Sequence, residues 1–264
     1  MTRGSLALKL GVGATALAMT FVPALAADAA TVNYVALGDS YSSGVGAGDY
    51  ISSSGSCDRS PNAYSALWAN AHKPSSYKSV ACSGAKTSDV IANQLSALSK
   101  STTLVSITVG GNDEGFSSIM EDCILDGTST CVSEINAAEA DARANLPGKL
   151  ASVYNGIRSK APTAHVVVLG YPDFYDLSKN CVGLSESSRT AIDGGIDLLD
   201  SITQTAATKA GFTYGDVRGA FSGHEICDGN RWLHSVNIFD ITESYHPTAD
   251  GHEYAYLPVF SAKA

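Results

Sequence analysis

A serine directly follows a short apolar run, at a position suited to nucleophilic chemistry. The run covers residues 34–37 and stops at Gly38-Asp39-Ser40. If the run is a strand of an open α/β sheet, the Ser40 hydroxyl lies at the carboxyl end of that strand, where such sheets bind their ligands. A Gly-Asp-Ser triplet alone also suits an ordinary strand-to-helix turn. Its meaning therefore depends on what other segments supply.

A base for this hydroxyl is predicted near the end of the chain. A serine becomes a good nucleophile only when a neighbouring base removes its proton and a third group orients that base. His246 is the best candidate, because Pro247 stiffens the turn after it and Glu243 stands three residues before it. A carboxylate at that spacing can bend back to the imidazole. His252, at the start of a final predicted helix, is a competing base but has no acidic residue three positions earlier.

Three groups are candidates to stabilise the oxyanion of an acyl-transfer reaction, which needs hydrogen-bond donors placed in advance. The backbone N–H of Ser40 is one. Gly84 offers another after the second predicted strand, and Asn112 can donate its side-chain amide after the third. We interpret Asp39 and Asp113 as structural acids that fix the strand-end turns. A turn or a loop explains each donor alone, but their placement at three successive strand ends favours a site.

The elements that must position these groups alternate between strands and helices, which predicts a parallel sheet with helices on both faces. The predicted strands are Val32–Leu37, Tyr77–Ala81, Leu104–Val109, His165–Leu169 and a weaker Phe212–Val217. The predicted helices include Pro61–Ala71, one that begins at Thr87, Ser133–Lys160 with an interruption near Pro147, and Ser185–Lys209. Residues 218–245 have no clear period, and we interpret them as a long loop pinned by Cys227.

Length and composition favour one domain and exclude one class of partner. The 264 residues suit a single α/β domain, and no polar linker, charge run or repeat divides them. Hydrophobic residues make up 44% and charged residues 16%, which supports a packed core. The formal net charge is -9 at pH 7, and no stretch offers the basic face that phosphate binding needs. We therefore expect no nucleic-acid partner.

The first residues have the features of an export signal. Two basic residues precede an apolar run over residues 10–25, and residues 24–26 have the small-x-small form of a signal-peptidase site. The run is short for a membrane span, and no basic residues follow it. We predict a signal peptide over residues 1–26, extending to residue 30 at most, and a single domain over residues 31–264. The mature protein is then secreted, without stable membrane insertion.

Six cysteines follow the predicted signal: Cys57, Cys82, Cys123, Cys131, Cys181 and Cys227. An even number in an exported chain implies a disulfide framework, although six cysteines allow fifteen connectivities. Metal binding is the alternative, but no Cys-x-x-Cys occurs and no His-x-x-x-His lies nearby. Cys123 and Cys131 bracket a short Gly/Thr/Ser loop, which favours a bond between those two.

Together these segments resemble the GDSL lipase/esterase group, also called SGNH hydrolases. The matching segments extend over nearly all of the predicted mature chain: Gly38-Asp39-Ser40-Tyr41-Ser42, Gly84, Gly110-Gly111-Asn112-Asp113 and Glu243-Ser244-Tyr245-His246-Pro247. Within the group the chain is most similar to secreted lipases and phospholipases of actinomycetes. The resemblance implies a three-layer α/β/α sandwich with a flavodoxin-like parallel sheet. It also implies ester hydrolysis through an acyl-enzyme, without a metal or an organic cofactor.

The resemblance implies roles for particular residues. Ser40 is the nucleophile, His246 is the base, and the Ser40 N–H, Gly84 and Asn112 form the oxyanion hole. The implied disulfides are Cys57–Cys82, Cys123–Cys131 and Cys181–Cys227. The chain departs from the group at Glu243, where Asp is more common and where some members orient the histidine with a backbone carbonyl. Glu243 is therefore the third expected catalytic residue, and a backbone carbonyl is its alternative.

Apolar residues after the third and fourth predicted strands are candidates for an acyl-binding cleft, although ordinary packing explains them equally well. They are Phe116, Ile119, Met120, Ile124, Tyr171, Phe174 and Tyr175. We expect a monomeric lipase, phospholipase or simple esterase that cleaves carboxylic esters of medium or long acyl chains. The alternatives are a carbohydrate O-acetyl esterase and a non-catalytic exported binding module. The chain contains no Gly-x-Ser-x-Gly and no His-Glu-x-x-His, which argues against an α/β-hydrolase elbow and a zinc peptidase.

Overall fold

Five strands of the described residues form a parallel sheet in the order β2-β1-β3-β4-β5. The strands are β1 (Asn33–Gly38), β2 (Ser76–Ser79), β3 (Leu104–Thr108), β4 (His165–Leu169) and β5 (Thr213–Gly215). The computed structural model describes residues 1, 2, 4, 5, 7, 31–237 and 240–264, and residues 31–264 form one compact unit. Most of the predicted signal peptide lies outside the described residues, so its cleavage stays a prediction.

Helices cover both faces of this sheet. The α-helices are α1 (Ser40–Ser43), α2 (Tyr64–His72), α3 (Thr87–Asp89), α4 (Phe116–Leu125), α5 (Gly127–Lys160), α6 (Glu186–Lys209), α7 (Arg218–Phe221), α8 (Ala249–Gly251) and α9 (Leu257–Ser261). Short 3-10 or π-helical segments are Ser52–Cys57, Val90–Gln94, Leu95–Ala97, Gly111–Glu114, Ile241–Glu243 and His252–Tyr256. On one face Tyr34 of β1 packs against Trp68 of α2 and Phe260 of α9, with ring centroids 5.4 and 5.5 Å apart. On the other face α5 and α6 lie side by side. The expected three-layer, flavodoxin-like sandwich is confirmed.

The order of the strands creates a crevice beside the first strand. The chain runs from β1 outward to β2 and then returns to the opposite side of β1 to form β3. In open α/β sheets ligands bind where the strand order reverses, outside the carboxyl ends of the strands. Ser40 follows β1 and Asn112 follows β3, and Gly38 and Thr108 are paired at the ends of these two strands. The candidate residues therefore stand on both sides of the crevice.

Helix α5 corrects the prediction of an interruption near Pro147. The helix is continuous from Gly127 to Lys160, with the proline inside it. An internal proline removes one backbone hydrogen bond and costs about 3 kcal/mol. Leu146 and Leu150, on either side of the proline, are both completely buried. Packing of this apolar stripe holds the helix together, because tertiary burial supplies most of the stability of a helix in a protein.

Two further segments differ from the sequence-based expectations. Helix α4 lies between β3 and α5, where no helix was predicted, and only Asp126 separates α4 from α5. Cys131 therefore lies within the first turns of α5 and not beyond a loop. The segment predicted as one irregular loop over residues 218–245 contains the short helix α7 and the 3-10 turn Ile241–Glu243.

The structure contains the three disulfides that the resemblance implies: Cys57–Cys82, Cys123–Cys131 and Cys181–Cys227. Free cysteines are absent from the described residues. The first bond lies next to Gly84, because the Ser83 N–H donates to the Cys57 carbonyl at 3.2 Å. The Cys82 N–H in turn donates to the Gly38 carbonyl at 3.0 Å. This disulfide therefore braces the turn that carries Gly84 against the end of β1.

We predict that replacing Cys57 and Cys82 together by serine lowers the free energy of unfolding by about 3 kcal/mol, because a 25-residue loop is no longer closed in the unfolded chain. Chemical denaturation measures this loss. The double variant should also lose the ester hydrolysis that the resemblance implies at a lower temperature than the unaltered protein does. The control is the Cys123→Ser, Cys131→Ser variant, whose disulfide joins two helices away from Gly84. Equal effects of both variants on kcat at 25 °C would contradict the proposed bracing of the Gly84 turn.

Candidate active site

The sharp turn after β1 presents Ser40 as the first residue of α1. The turn requires glycine at position 38, which has a φ of +123°. A Cβ atom there would stand 2.3 Å from the Thr108 carbonyl oxygen. Because Ser40 begins the helix, its N–H is one of the donors that the helix itself leaves without a partner. The Ser40 side chain is buried at the bottom of a cleft.

Asp39 holds this turn in place through three hydrogen bonds. Its carboxylate accepts from the Tyr41 N–H at 3.1 Å, from the Thr108 hydroxyl at 2.6 Å and from the Tyr171 hydroxyl. Burial raises the pKa of Asp39 to about 6, although the three hydrogen bonds favour the charged form and oppose the shift. These contacts confirm Asp39 as a structural acid that links α1 to β3 and to the segment after β4.

The structure brings Ser40 and His246 into direct contact. The His246 Nε2 atom lies 2.7 Å from the Ser40 hydroxyl oxygen, and its Nδ1 atom lies 3.0 Å from the Ser244 carbonyl oxygen. A carbonyl oxygen only accepts hydrogen bonds, so Nδ1 must carry the proton of the neutral ring. Nε2 then has a free lone pair, which accepts the hydrogen bond from the serine hydroxyl.

Burial also keeps this histidine neutral. Desolvation lowers the pKa of His246 to about 4, because it disfavours the imidazolium form, while the hydrogen bond to the Ser244 carbonyl favours that form and limits the shift. A ring that is neutral at pH 7 is ready to accept a proton. The site therefore contains a hydroxyl and a base in hydrogen-bond contact, in the protonation states that nucleophilic attack requires.

Glu243 does not contact the imidazole, and the alternative of a backbone carbonyl is the one that the structure forms. The Glu243 carboxylate accepts a hydrogen bond from the Tyr50 hydroxyl at 2.7 Å. The Tyr50 oxygen itself accepts from the Gly46 N–H at 2.9 Å. The physical reason is the turn: the His246 N–H donates to the Glu243 carbonyl at 3.1 Å, and this backbone path brings the Ser244 carbonyl to the ring.

Two tyrosines that sequence reasoning missed hold the loop that carries His246 against the turn that carries Ser40. Tyr41 directly follows Ser40, and its hydroxyl donates to the Tyr245 carbonyl at 2.6 Å. The Tyr41 ring also packs against the His246 ring, with centroids 5.0 Å apart. Tyr245 has a φ of +65°, which is unusual for a residue with a side chain. In the sequence, only their positions indicated a role for these tyrosines: Tyr41 directly follows Ser40, and Tyr245 directly precedes His246.

Backbone pairing anchors the loop that carries His246. The His234 N–H donates to the His246 carbonyl at 2.9 Å, and the Tyr245 N–H donates to the His234 carbonyl at 3.0 Å. The His234 ring lies 2.8 Å from the Gly46 carbonyl, through its Nε2 atom. A Cβ atom on Gly46 would meet the Pro247 carbonyl at 2.5 Å, so the segment after α1 touches the base loop with no space between them.

The two other expected oxyanion donors lie in the same cleft. We define the catalytic cleft by Ser40, Gly84, Asn112 and His246, which line it together, and its volume is about 120 Å³. One N–H of the Asn112 amide donates to the Ala85 carbonyl at 3.2 Å, which leaves its second N–H for another acceptor.

Asp113, beside Asn112, fixes the loops that carry Gly84 and Asn112. Its carboxylate accepts from both the N–H and the hydroxyl of Thr87, at 2.8 and 2.6 Å. The loop after β3 is thereby tied to the loop after β2. The interpretation of Asp113 as a structural acid is confirmed.

His252 does not compete for the role of base. It is completely buried and does not line the catalytic cleft. Its Nδ1 atom faces the Tyr64 N–H at 3.4 Å, and its ring packs beside Tyr256. Clusters of metal-ligating side chains are likewise absent from the part of the chain that the structure describes.

The expected apolar residues fall into three connected spaces. Phe116, Tyr171 and Phe174 line the catalytic cleft. Ile119 and Met120 line a neighbouring pocket between α4, α5 and α6, which we call the inner pocket. Ile124 lies on a surface groove between α4 and residues 236 and 241–246, which we call the outer groove and which Phe116 and Met120 also border.

Two of the expected apolar residues have hydroxyls with structural partners. The Tyr171 hydroxyl donates to Asp39, although its ring borders the cleft. Tyr175 is buried away from the cleft, and its hydroxyl pairs with that of Tyr245 at 3.1 Å.

A flavodoxin-like sheet with a serine and a neutral histidine at its switch point is typical of a serine-dependent ester hydrolase. The model of the GDSL-like lipase/acylhydrolase family matches residues 36–254. The chain therefore belongs to the GDSL-like lipase/acylhydrolase family.

Relatives and solved structures agree with this assignment. Lipase 1 of Streptomyces coelicolor is 57% identical over 236 residues, which are 89% of this chain and 88% of that protein. The crystal structure of phospholipase A1 from Streptomyces albidoflavus superposes with a TM-score of 0.87 at 56% identity, over 89% of this chain and 100% of that one. The extracellular lipase of Streptomyces rimosus gives a TM-score of 0.87 at 52% identity over the same shares.

We predict that Glu243→Gln lowers kcat by no more than about tenfold, because the ring is held by the Ser244 carbonyl and not by the carboxylate. His246→Ala should lower kcat by about 10³-fold or more. Tyr50→Phe removes the hydroxyl that donates a hydrogen bond to Glu243. The double variant Tyr50→Phe, Glu243→Gln should therefore have a kcat close to that of either single variant. Steady-state kinetics on a soluble ester measures all four proteins. A loss with Glu243→Gln as large as that with His246→Ala would contradict this assignment.

Proposed function

We propose that this protein is a secreted lipase or phospholipase that cleaves carboxylic esters of medium or long acyl chains, with Ser40 as nucleophile and His246 as base. The observation that carries the proposal is the contact of the Ser40 hydroxyl with His246 Nε2 at 2.7 Å, on a ring whose other nitrogen donates to a backbone carbonyl. Family membership and the identity to Streptomyces lipases and a phospholipase A1 support the same reaction.

The reaction proceeds in two halves. The Ser40 oxygen attacks the ester carbonyl carbon while its proton moves to His246 Nε2, and the carbonyl oxygen becomes an oxyanion. The N–H groups of Ser40 and Gly84 and the free amide N–H of Asn112 donate to that oxyanion. When the intermediate collapses, the leaving alkoxide takes the proton from Nε2 and an acyl-enzyme remains. Water then repeats the sequence, with His246 as its base, and releases the fatty acid and free Ser40.

The apolar lining favours lipid esters over small polar ones. Phe116 and Phe174 flank the catalytic cleft, and the inner pocket adds mainly aliphatic side chains. Each methylene buried against such a surface contributes about 0.8 kcal/mol. The relatives named above are lipases and a phospholipase A1, which agrees with this preference.

Secretion agrees with the three disulfides and with the extracellular relative from S. rimosus. In the part of the chain that the structure describes, no helix is both long and apolar enough to cross a membrane. The expected monomeric state stays a prediction, which light scattering of the purified protein would measure.

A panel of esters tests the proposed function. The panel contains 4-nitrophenyl esters from acetate to palmitate, a triacylglycerol emulsion and a phosphatidylcholine dispersion. We predict a kcat/KM that rises over several carbons of the acyl chain, with Ser40→Ala as the inactive control. A steep preference for acetate would instead favour a carbohydrate O-acetyl esterase. An absence of turnover, together with failure of an organophosphonate to label Ser40, would favour a binding module.

We predict graded losses for the cleft residues on the best ester of that panel. Ser40→Ala removes the nucleophile and should lower kcat by about 10³-fold or more. Asn112→Ala removes one oxyanion donor and should lower kcat by about 10²–10³-fold with little change in KM. The matched control is Asn93→Ala, on the surface of the Val90–Gln94 segment outside the catalytic cleft. A normal kcat for Asn112→Ala would exclude its amide from the oxyanion hole.

The pH dependence of kcat/KM follows from the state of His246. The ring must be neutral to accept the serine proton, and burial lowers its pKa to about 4. Lowering the pKa of a base moves its protonation to more acidic solution. We therefore predict that kcat/KM stays constant well below the ordinary histidine pKa of about 6.5 and falls only at more acidic pH. An acid limb centred above that value, measured with an uncharged ester, would contradict this account.

A further inference from the structure

The catalytic cleft adjoins two apolar spaces, and an ester substrate has an acyl chain and an alcohol portion that must both be bound. The inner pocket meets the cleft at Gly111, Phe116, Ile196 and Leu199, which line both spaces. The outer groove meets the cleft at Ser117, Thr242 and His246, and Phe116 borders all three spaces. The acyl chain and the alcohol of a lipid ester must each follow one of these routes.

The chemistry of the leaving group indicates which space binds the alcohol and which binds the acyl chain. When the tetrahedral intermediate collapses, the alcohol oxygen receives a proton from His246 Nε2, so that oxygen must lie beside the histidine. The carbonyl carbon is also bonded to the Ser40 oxygen below it and to the oxyanion among its donors. The acyl substituent takes the remaining direction, away from His246. His246 borders the outer groove and does not border the inner pocket.

We propose that the inner pocket between α4, α5 and α6 binds the acyl chain of the scissile ester, and that the outer groove receives the alcohol portion. This assignment rests on the proposed function and adds to it the side chains that set acyl length. Met120, Ile135, Ile192 and Ile196 give the inner pocket an aliphatic wall, and all four are buried.

Two carboxylates border the inner pocket, and each lies near a cation. A Glu114 carboxylate oxygen lies 3.6 Å from the Lys149 ammonium, and Glu139 pairs with Arg143 at 2.9 Å. Glu114 is the more buried of the two carboxylates. At 3.6 Å the Glu114 contact is an ion pair without a hydrogen bond, and burial raises the pKa of this carboxyl, which favours its uncharged form beside a hydrocarbon chain.

The volumes of the two spaces differ in the same sense as the two parts of the lipid assigned to them. The inner pocket has a volume of about 70 Å³, whereas that of the outer groove is about 520 Å³. Leu125 and Ile241 stand exposed at the rim of the outer groove. The smaller space suits a single hydrocarbon chain, and the larger one suits the bulkier remainder of an acylglycerol or phospholipid.

Residue 138 offers a matched test, because Ala138 lines the inner pocket from α5 while Ala137, beside it on the same helix, is exposed to solvent. In Ala138→Phe the new ring fills the pocket and should lower kcat/KM by about fourfold for each methylene that it excludes. The loss should therefore grow with acyl length and shift the preferred 4-nitrophenyl ester to a shorter chain. Ala137→Phe should keep the acyl-length profile of the unaltered protein.

Ile241→Ser tests the outer groove in the same panel. It should leave the acyl-length profile in place and raise KM for butyrate esters of large apolar alcohols. If Ile241→Ser shortens the preferred acyl chain and Ala138→Phe does not, the two subsites are exchanged and the proposal is overturned. An unaltered protein that hydrolyses no ester would overturn the proposed function itself, which is a different result from an unchanged profile in an active enzyme.

A crystal structure of the unaltered protein with a bound acyl analogue tests the assignment of the inner pocket without depending on the folding of a variant. Ser40 is labelled with a 4-nitrophenyl decylphosphonate, which leaves the alkyl chain on phosphorus in the place of the acyl chain. A crystal structure of the adduct should show the carbon chain between Ile135, Ile192 and Ile196. A chain that lies along Leu125 and Ile241 would overturn the assignment.

Discussion

The hydrogen bond between His246 Nδ1 and the Ser244 carbonyl is the interaction on which the site depends. It fixes the proton on one ring nitrogen and leaves the lone pair of the other for Ser40. A carbonyl dipole stabilises an imidazolium less than a carboxylate does, so the ring stays neutral over a wide range of pH. The position of the ring offsets this weaker stabilisation of the imidazolium. The backbone at Tyr245, with its φ of +65°, and the Tyr41 hydroxyl that binds its carbonyl hold the ring in line with the serine.

Buried hydroxyl groups hold the turn that carries Ser40. The Ser42 hydroxyl pairs with the Thr108 hydroxyl at 2.8 Å and accepts from the Thr108 N–H at 3.0 Å, and Tyr64 reaches it at 3.1 Å. The Gln94 side chain binds the backbone at the end of β1: its amide N–H donates to the Gly38 carbonyl, and its amide oxygen accepts from the Gly38 N–H. Buried polar groups are costly unless every one has a partner, so such a network fixes one arrangement of the strand ends.

The strand-end rule explains why sequence could place Ser40, Gly84 and Asn112 in one cleft, because the carboxyl ends of parallel strands meet at one edge whatever the loops do. It could not decide the partner of His246. A glutamate three residues earlier is compatible with a turn that brings either its carboxylate or the next carbonyl to the ring. Tyr50 settles this by taking the Glu243 carboxylate, and it lies 193 residues away. The sequence also could not predict that the helix continues through Pro147. Burial of Leu146 and Leu150 against other elements outweighs the local free-energy cost of the proline.

The chemistry and the choice of substrate come from different parts of this fold. Ser40, Gly84 and Asn112 follow strands of the sheet, whose register and buried network allow little movement. The spaces proposed for the lipid are built from α4, α5, α6 and residues 236 and 241–246, which lie outside the sheet. The Cys123–Cys131 bond joins α4 to the start of α5 and so fixes the wall of the inner pocket without touching the catalytic residues. Substitutions in these walls can therefore change acyl preference while the attack at Ser40 stays as it is, which is why a profile over acyl length reports on the walls separately from kcat on the shortest ester.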